Sequence, residues 1–316
     1  MQVSDRIGRR MKLHELHVLM AVMQAGSMRK AAALLNTTQS AISRSIADLE
    51  QTMGARLLDR SAHGVEPTRY GRALLKRGVA VFDELKQSVR DIEFLSNPEG
   101  GELLIGSGSA FAEGFVLAVI DRLSQRYPRA AYHVMPSTLT GLYDELRERR
   151  IELAFSGNSR LRPQDDIDAE VLFEEPLVVA TSVGNPLIRR RRIDLADLLN
   201  EPWTWSPPGT VVDRLVVEAF RASGLDPPRA RVYTDAINVR IRLASTKGFL
   251  IVVPASMLSF PDKHPSLRRL PVELPTTRRQ MGIITLKNRT LSPLAQLFIA
   301  CARDISGPLA KSTPQC

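Results

Sequence analysis

Two short amphipathic patterns joined by a tight turn constrain the folding of this 316-residue chain more than any other feature. The first pattern predicts a helix from Met28 to Leu35, with Ser27 as its N-cap. The second pattern predicts a helix that starts after Thr38 and runs to about Met53. Two helices joined by so short a connection form a helix-turn-helix.

The flanking segments complete a small domain around these two helices. Apolar residues from Leu13 to Met23 follow helical spacing and predict a preceding helix. After the third helix, Leu57-Leu58 and Val65 flank a polar turn at residues 61–64, which predicts a β-wing. We therefore expect a winged helix-turn-helix domain over residues 11–68.

Polar side chains of this domain are candidates for contact with DNA. The start of the third helix leaves four of them outside the apolar stripe: Gln39, Ser40, Ser43 and Arg44. In a recognition helix such residues reach base edges, where Gln pairs well with adenine and Arg with guanine. Arg29 and Lys30 lie where a phosphate backbone would pass, although solvated surface charge is an alternative for both. Arg60 and His63 are expected to project from the wing toward the backbone or minor groove.

The charge distribution favours the same partner. The chain has a formal net charge of +9, and residues 1–80 contain 13 Lys and Arg against six Asp and Glu, or +7. This asymmetry indicates a polyanionic partner, either nucleic acid or an anionic membrane. A membrane partner is disfavoured because the longest strongly apolar stretch, residues 249–258, is about half of the ~20 residues that a spanning helix needs.

The cysteines and histidines of the sequence give no sign of a metal site or a cofactor. The two cysteines form neither a disulfide framework nor a zinc-binding spacing, and a reduced, cytoplasmic protein is expected. His14 and His17 lie three residues apart and could chelate, but surface or partly packed histidines are favoured. The Arg189–Arg192 run is a second candidate nucleic-acid patch, for which a solvated loop or a partner contact is favoured.

A long helix is predicted to follow the wing. It covers residues 69–97, with Thr68 as its cap and a boundary at Asn97-Pro98. Apolar residues repeat along it with the spacing of a coiled-coil seam. We predict that this seam pairs two subunits, the alternative being an ordinary helix packed on its own chain. The proposed dimerisation residues are Leu74, Val81, Leu85 and Ile92.

Residues 101–306 change to alternating strand and helix patterns. Repeated β-α-β units indicate mainly parallel sheets covered by helices, and two sets of them predict two lobes with a cleft between. Lobe I is predicted at about residues 101–172 and 270–306, and lobe II at about 173–269. The whole chain is thus expected to be an α domain followed by an α/β domain.

Hydroxyl-rich loops follow the predicted strands, where open α/β sheets bind their ligands. Helix N-termini in such loops hold anions through backbone N–H groups, although Ser and Thr are also ordinary helix caps. We expect the cleft to bind a small anionic or hydroxylated ligand by helix ends and hydroxyls rather than by net charge. The candidate ligand-binding residues are Ser107, Ser109, Ser137, Thr138, Ser156, Thr210 and Thr234.

The ordered motifs resemble LysR-type transcriptional regulators over nearly the entire chain. The N-terminal match comprises Ser27 with Ala31-Ala32, Gln39-Ser40-x-x-Ser43-Arg44, Leu49-Glu50, Gly54, Leu57-Leu58-x-Arg60 and Thr68-x-x-Gly71. The C-terminal match is looser and includes Gly101-Glu102-Leu103, Tyr127-Pro128, Glu152-Leu153-Ala154 and Pro176-Leu177-Val178-Val179. Leu58, Pro67 and Glu152 depart from the commoner Phe, Leu and Asp.

The resemblance implies a fold and a function. The fold is a winged helix-turn-helix, a linker helix and a two-lobed effector-binding domain of the periplasmic-binding-protein-like type. Gln39, Ser40, Ser43 and Arg44 are implied to read promoter DNA, and Thr38, Arg60 and His63 to lie near phosphates. The candidate ligand-binding residues are implied to be effector-binding residues, and the ligand a small-molecule effector. A homodimer or homotetramer is implied, with RNA polymerase as a further partner of an activator.

Two other classes of function remain to be compared with this reading. A solute-binding module with incidental basicity would bind no specific DNA. An enzyme is disfavoured because the chain has no complete dinucleotide fingerprint, no phosphate loop and no Gly-x-Ser-x-Gly elbow.

Overall fold

The computed structural model describes residues 10–61, 64–97, 100–158, 163–260 and 264–311. The chain forms two compact units, Met1–Lys86 and Gln87–Cys316. The first unit contains α1 (Leu13–Ala25), α2 (Met28–Leu34), α3 (Gln39–Met53), β1 (Leu58–Ser61) and β2 (Gly64–Pro67). A longer helix, α4 (Arg69–Ser96), begins in the first unit and ends in the second.

Local capping chemistry sets the helix starts in the first unit. Ser27 caps α2 by accepting a hydrogen bond from the Lys30 amide at 3.2 Å. Thr38 caps α3 by accepting one from the Ala41 amide, also at 3.2 Å. These bonds satisfy amides that have no partner inside their own helix, so each helix begins where the sequence predicts.

A partly buried carboxylate group joins the wing to α3. Glu50 of α3 accepts hydrogen bonds from the amides of Leu57 at 2.6 Å and Leu58 at 3.2 Å. Strands β1 and β2 pair in antiparallel register from there. The wing therefore starts at a fixed position relative to α3. The core beneath it consists of fully buried apolar side chains, among them Leu16, Leu19, Val22, Ile42, Ile46 and Leu49.

The first half of α4 packs within the first unit and includes one of the predicted dimerisation residues. Leu74 is partly buried against the apolar core of the helix-turn-helix. Gly78 lies against Leu16, so the helix is held close to α1 at this point. The 3-4 spacing of Leu74 thus fits contact with its own chain as well as a seam between subunits. Val81, Leu85 and Ile92 are exposed.

The second unit contains two five-stranded sheets. The first sheet comprises β3 (Glu102–Ser107), β4 (Ala131–Pro136), β5 (Leu153–Asn158), β6 (Ile167–Glu175) and β12 (Arg279–Leu286), in the order β4-β3-β5-β12-β6. The second comprises β7 (Leu177–Ser182), β8 (Trp203–Trp205), β9 (Val232–Tyr233), β10 (Leu250–Pro254) and β11 (Leu267–Arg269), in the order β11-β7-β10-β8-β9.

Helices cover both sheets. They are α5 (Ser109–Phe111), a π-helical turn at Ala112–Val116, α6 (Leu117–Arg126), α7 (Leu139–Arg147), α8 (Val211–Ala222), α9 (Ile237–Lys247) and α10 (Pro293–Lys311), with 3₁₀ helices at Pro186–Arg189, Leu195–Leu198 and Ala255–Leu258. Phe115 stacks on Phe155 in the core of the first sheet, with ring centroids 4.6 Å apart. In the second core, the Trp203 indole N–H donates to the Leu198 carbonyl at 2.8 Å.

The sheets are mixed rather than mainly parallel. β12 runs antiparallel to both β5 and β6, and β7 runs antiparallel to both β10 and β11. The predicted lobe boundaries also shift, because β6 stays in the first sheet as far as Glu175. On the return, Leu270, Val272 and Leu274 pack in the core of the second sheet. None of the helices described is long and apolar enough to cross a membrane.

We predict that Gly71→Ala lowers the free energy of unfolding of the first unit by about 1–3 kcal/mol. A Cβ at this position would overlap the backbone carbonyl oxygen of Leu57, which cannot move without disturbing the start of the wing. Urea unfolding of the full-length protein, followed by circular dichroism, measures the change.

Gly307→Ala in α10 is the matched control, because a Cβ there meets no atom within 4 Å. Alanine favours a helix by up to about 1 kcal/mol over glycine, so this variant should be neutral or slightly more stable. Equal stability of the two variants would contradict the close approach of α4 to Leu57.

Candidate functional site

The predicted base-reading residues lie at the start of α3. Gln39, Ser40 and Arg44 are exposed, as a recognition helix requires. Ser43 is partly buried, because its hydroxyl turns toward α2 and lies 3.9 Å from the Met28 sulfur. Three of these four side chains are thus open to a partner, and Ser43 also contacts α2.

The predicted phosphate-contacting residues surround this helix end. Arg29 and Lys30 are exposed in the first turn of α2, and Arg60 is exposed on β1. The Thr38 hydroxyl, besides capping α3, lies 2.9 Å from the Ser40 hydroxyl. His63 lies outside the described residues.

A cavity of about 370 Å³ lies between the two sheets of the second unit. Five of the seven predicted effector-binding residues line it: Ser109, Ser137, Thr138, Ser156 and Thr210. They come from the ends of β3, β4 and β5 and from the start of α8, which is where the edge-of-sheet rule expects a ligand of an open α/β sheet. Apolar side chains, including Leu139, Leu177 and Val252, complete much of the remaining wall.

Two predicted effector-binding residues do not line the cavity. Ser107 is fully buried, and its hydroxyl donates to the Gly108 carbonyl oxygen at 3.2 Å. The Thr234 hydroxyl accepts from the Ala236 amide at 3.1 Å and thereby forms a local turn. Both hydroxyls instead bond to nearby backbone groups, as a hydroxyl beside a strand end can equally well do.

Helix N-termini contribute to opposite sides of the cavity. Thr138 caps α7 by accepting from the Gly141 amide, and Thr210 caps α8 by accepting from the Asp213 amide, both at 3.3 Å. Each helix end carries partial positive charge. The cavity therefore offers an anion two favourable helix ends.

Two buried arginines add full positive charges, where the sequence analysis predicted only hydroxyls and helix ends. Arg240 of α9 is 5% exposed; it donates from Nη1 to the Ser206 hydroxyl at 3.0 Å and from Nη2 to the Val252 carbonyl at 2.6 Å. Arg279, at the start of β12, is 3% exposed and lies over the Phe111 ring, with Cζ 4.9 Å from the centroid. Burial lowers the pKa of each guanidinium to about 10, so both remain cationic near neutral pH.

These arginines correct the expectation that the cavity binds by hydroxyls and helix ends alone. Both line the cavity, together with the exposed carboxylate group of Asp235. A sequence signal existed for Arg240, which shares a helical stripe with Ile237, Ile241 and Ala244. We find no comparable signal for Arg279, which starts an apolar strand after a run of polar residues.

Glu175 lies directly opposite Arg279 in the pairing of β6 with β12. Its carboxylate accepts from the Ser256 amide at 2.6 Å and from the Ser256 hydroxyl at 3.0 Å. Burial raises the pKa of Glu175, while these bonds and the Arg279 charge act in the opposite direction. Among the described residues, no group of three or more His, Cys, Asp and Glu side chains could hold a metal ion.

Comparison with known families agrees with this arrangement. The family described as "LysR substrate binding domain" matches residues 96–306, and the family described as "Bacterial regulatory helix-turn-helix protein, lysR family" matches residues 13–72. The chain belongs to the LysR family. It is a LysR-type transcriptional regulator, with a helix-turn-helix for DNA and an effector-binding domain. These matches support a regulator over the alternative of a small-solute-binding module without specific DNA recognition.

Similar LysR-type proteins cover almost the full length. The chain is 27% identical to the HTH-type transcriptional regulator GbpR of Azospirillum brasilense over 303 residues, covering 94% of this chain and 87% of GbpR. It is 26% identical to the transcriptional dual regulator GltC of Bacillus subtilis (strain 168) over 289 residues, covering 91% and 95%. These relatives are named as regulators and not as enzymes.

Solved structures of LysR-type regulators share the fold. A full-length OxyR variant from Pseudomonas aeruginosa superimposes with a TM-score of 0.65 at 18% identity, covering 96% of this chain and 99% of OxyR. Full-length CbnR in complex with its target DNA superimposes with a TM-score of 0.52 at 22% identity, covering 94% and 100%. The predicted fold class is thereby confirmed.

We predict that Arg240→Lys lowers the free energy of unfolding by about 1–3 kcal/mol. A lysine keeps the charge but cannot donate to Ser206 and Val252 with the spacing of a guanidinium. Arg242→Lys on the exposed side of the same helix is the control and should change stability by less than about 0.5 kcal/mol. Urea unfolding compares the variants, and equal stability would contradict the structural role of Arg240.

Proposed function

We propose that this LysR-type regulator binds double-stranded promoter DNA through the start of α3, with Gln39, Ser40 and Arg44 as its base-reading side chains. The observation that carries this proposal is their joint exposure at the N-terminus of a capped helix. The N-terminus of a recognition helix is the part that reaches base edges in the major groove. We assign Ser43 a smaller part in DNA recognition, since its hydroxyl is also near Met28.

Phosphate contacts are proposed around the recognition helix. Arg29, Lys30 and Arg60 carry exposed cations in the same unit, and Thr38 and His63 complete the set that the family resemblance implies. Such contacts position the protein without reading sequence and weaken as salt rises. Because its DNA target is a promoter, we expect the protein to act in the cytoplasm, where a bacterial chromosome lies.

Dimerisation is proposed through the later part of α4. Val81, Leu85 and Ile92 are exposed apolar side chains, as are Val89 and Leu95 beside them. Exposed apolar side chains at such spacing favour contact with a second copy. A homodimer places two recognition helices about one DNA turn apart, ~34 Å, and a homotetramer is an assembly of such dimers. An activator of this type would also contact RNA polymerase.

The cavity of the second unit is proposed as the effector site. Ser109, Ser137, Thr138, Ser156 and Thr210 provide hydroxyls, and two helix ends provide partial positive charge. These features suit a small anionic or hydroxylated molecule. We propose no catalytic activity and no cofactor for this site.

We predict that Arg44→Ala and Arg60→Ala weaken DNA binding in different ways. Loss of Arg44 removes a base contact, so it should cost about 1–3 kcal/mol on the specific promoter and little on random DNA. Loss of Arg60 should weaken both alike and reduce the salt slope by about 1. Fluorescence anisotropy with the upstream intergenic fragment and a shuffled fragment measures both effects.

Arg191→Ala is the control for this comparison, because Arg191 is exposed in the second unit and has the same charge. It should leave both affinities unchanged. A loss comparable to that of Arg60→Ala would instead make the 189–192 run a nucleic-acid contact. An upstream fragment bound no better than shuffled DNA by the wild-type protein would contradict the proposed function.

We predict that Ser109→Ala weakens the response to the effector roughly 3- to 10-fold, the loss of about one hydrogen bond. Ser109 lines the cavity, whereas the control residue Thr234 does not, so Thr234→Ala should keep the response. A metabolite library tested by thermal shift identifies binders, and promoter binding is then titrated with them. A larger loss in Thr234→Ala than in Ser109→Ala would mean that the effector binds elsewhere.

A further inference from the structure

Arg279 occupies an unusual position for a cation. It is the first residue of β12, is 3% exposed and lines the cavity between the two sheets. Its neighbour Arg278 is exposed to solvent. Burying a guanidinium is costly unless its N–H groups find acceptors.

Two donors of Arg279 lack acceptors within the described part of the chain. Nε and Nη2 are both buried and have no hydrogen-bond partner there. Glu175, although directly opposite in register, directs both carboxylate oxygens to Ser256. The nearby negative charge therefore offsets part of the charge of Arg279 without accepting from these two nitrogens.

Nε and Nη2 form one edge of the guanidinium, and this edge matches the two oxygens of a carboxylate. The same chain uses it three times on the surface. Arg147 donates from Nε and Nη2 to Asp166 at 2.8 and 3.1 Å, Arg150 to Glu145 at 2.6 and 3.1 Å, and Arg303 to Glu170 at 2.6 and 2.8 Å. Only at Arg279, among these four, is the edge left without its carboxylate.

The rest of the cavity wall indicates the other half of the ligand. Apolar side chains from both lobes line the cavity, among them Leu139, Leu177, Val211, Val212, Ile237 and Val252. They cannot accept or donate hydrogen bonds, so they favour a compact hydrocarbon or aromatic body. A cavity of about 370 Å³ limits that body to a small molecule.

We infer that the effector is a small carboxylic acid with an apolar body, and that Arg279 binds its carboxylate through Nε and Nη2. This inference rests on the proposed function, since it names the ligand class of the same cavity. Arg240 contributes a second positive charge, but its two Nη atoms already donate to Ser206 and Val252. Arg279 is thus the residue that distinguishes an acid from its neutral analogue.

Matched acid and amide pairs test this inference on the full-length protein. The probes are 4-methylpentanoate, benzoate and phenylacetate, each compared with its primary amide by isothermal titration calorimetry. At least one acid should bind roughly 10- to 150-fold more tightly than its amide, the equivalent of charge-assisted hydrogen bonds. Arg279→Gln should reduce the affinity for that acid to the level of the amide, and Arg279→Lys should give an intermediate value.

Arg278→Gln is the matched control, because it removes the same charge one residue away on the exposed side. It should leave the preference for the acid unchanged. If Arg279→Gln does not fold, the comparison of acids with amides on the wild-type protein still decides. Equal binding of acids and amides, no binding of any acid, or an unchanged preference in folded Arg279→Gln would overturn the inference.

The failure of this inference differs from the failure of the proposed function. A neutral compound that binds the cavity and changes promoter binding, with acids inactive, would leave the effector site in place and overturn only the ligand class. Wild-type protein that does not distinguish the promoter from shuffled DNA would contradict the proposed function whatever the acids do.

Discussion

The arrangement of the two lobes depends on the hydrogen bonds between Glu175 and Ser256, which connect the two sheets. Glu175 is the last residue of β6, after which the chain passes from the first sheet to the second. Ser256 lies in the 3₁₀ helix directly after β10 of the second sheet. Both residues are buried, so the two bonds join the sheets where water cannot compete for them. The return crossing enters the first sheet at Arg279, opposite Glu175. Both crossings therefore meet at one buried pair of opposite charges, beside the cavity.

Two other carboxylate groups of the chain also accept hydrogen bonds at a junction between elements. Glu50 accepts from the amides of Leu57 and Leu58 and sets the start of the wing. Glu152 accepts from the amide and the hydroxyl of Ser292, just before α10. Burial raises the pKa of Glu152, and the Ser292 bonds oppose that shift. In each case a carboxylate satisfies backbone amides at a junction between elements, where neither a helix nor a sheet supplies acceptors.

Sequence reasoning succeeded where the deciding interactions are local. Ser27 and Thr38 cap their helices within three residues, so the helix-turn-helix was predictable from spacing alone. It failed where distant contacts decide, because one spacing is compatible with several partners. Leu74 fits a coiled-coil seam, yet it packs on the core of its own unit. The helix α9 carries a buried arginine in its apolar stripe, and β6 contains acidic residues, so neither shows a clean hydrophobic period.

The cavity shows why composition predicts one partner better than the other. DNA presents many phosphates to an exposed surface, so its binding surface carries an excess of cations that a count over residues 1–80 detects. An effector site needs only one or two charges, and their effect depends on burial rather than number, since charges interact far more strongly in a low-dielectric interior. Arg240 and Arg279 change the net charge of the second unit by the same amount as two solvated lysines would. Their small exposed fractions, and not the sum of charges, make them decisive for the chemistry of the cavity.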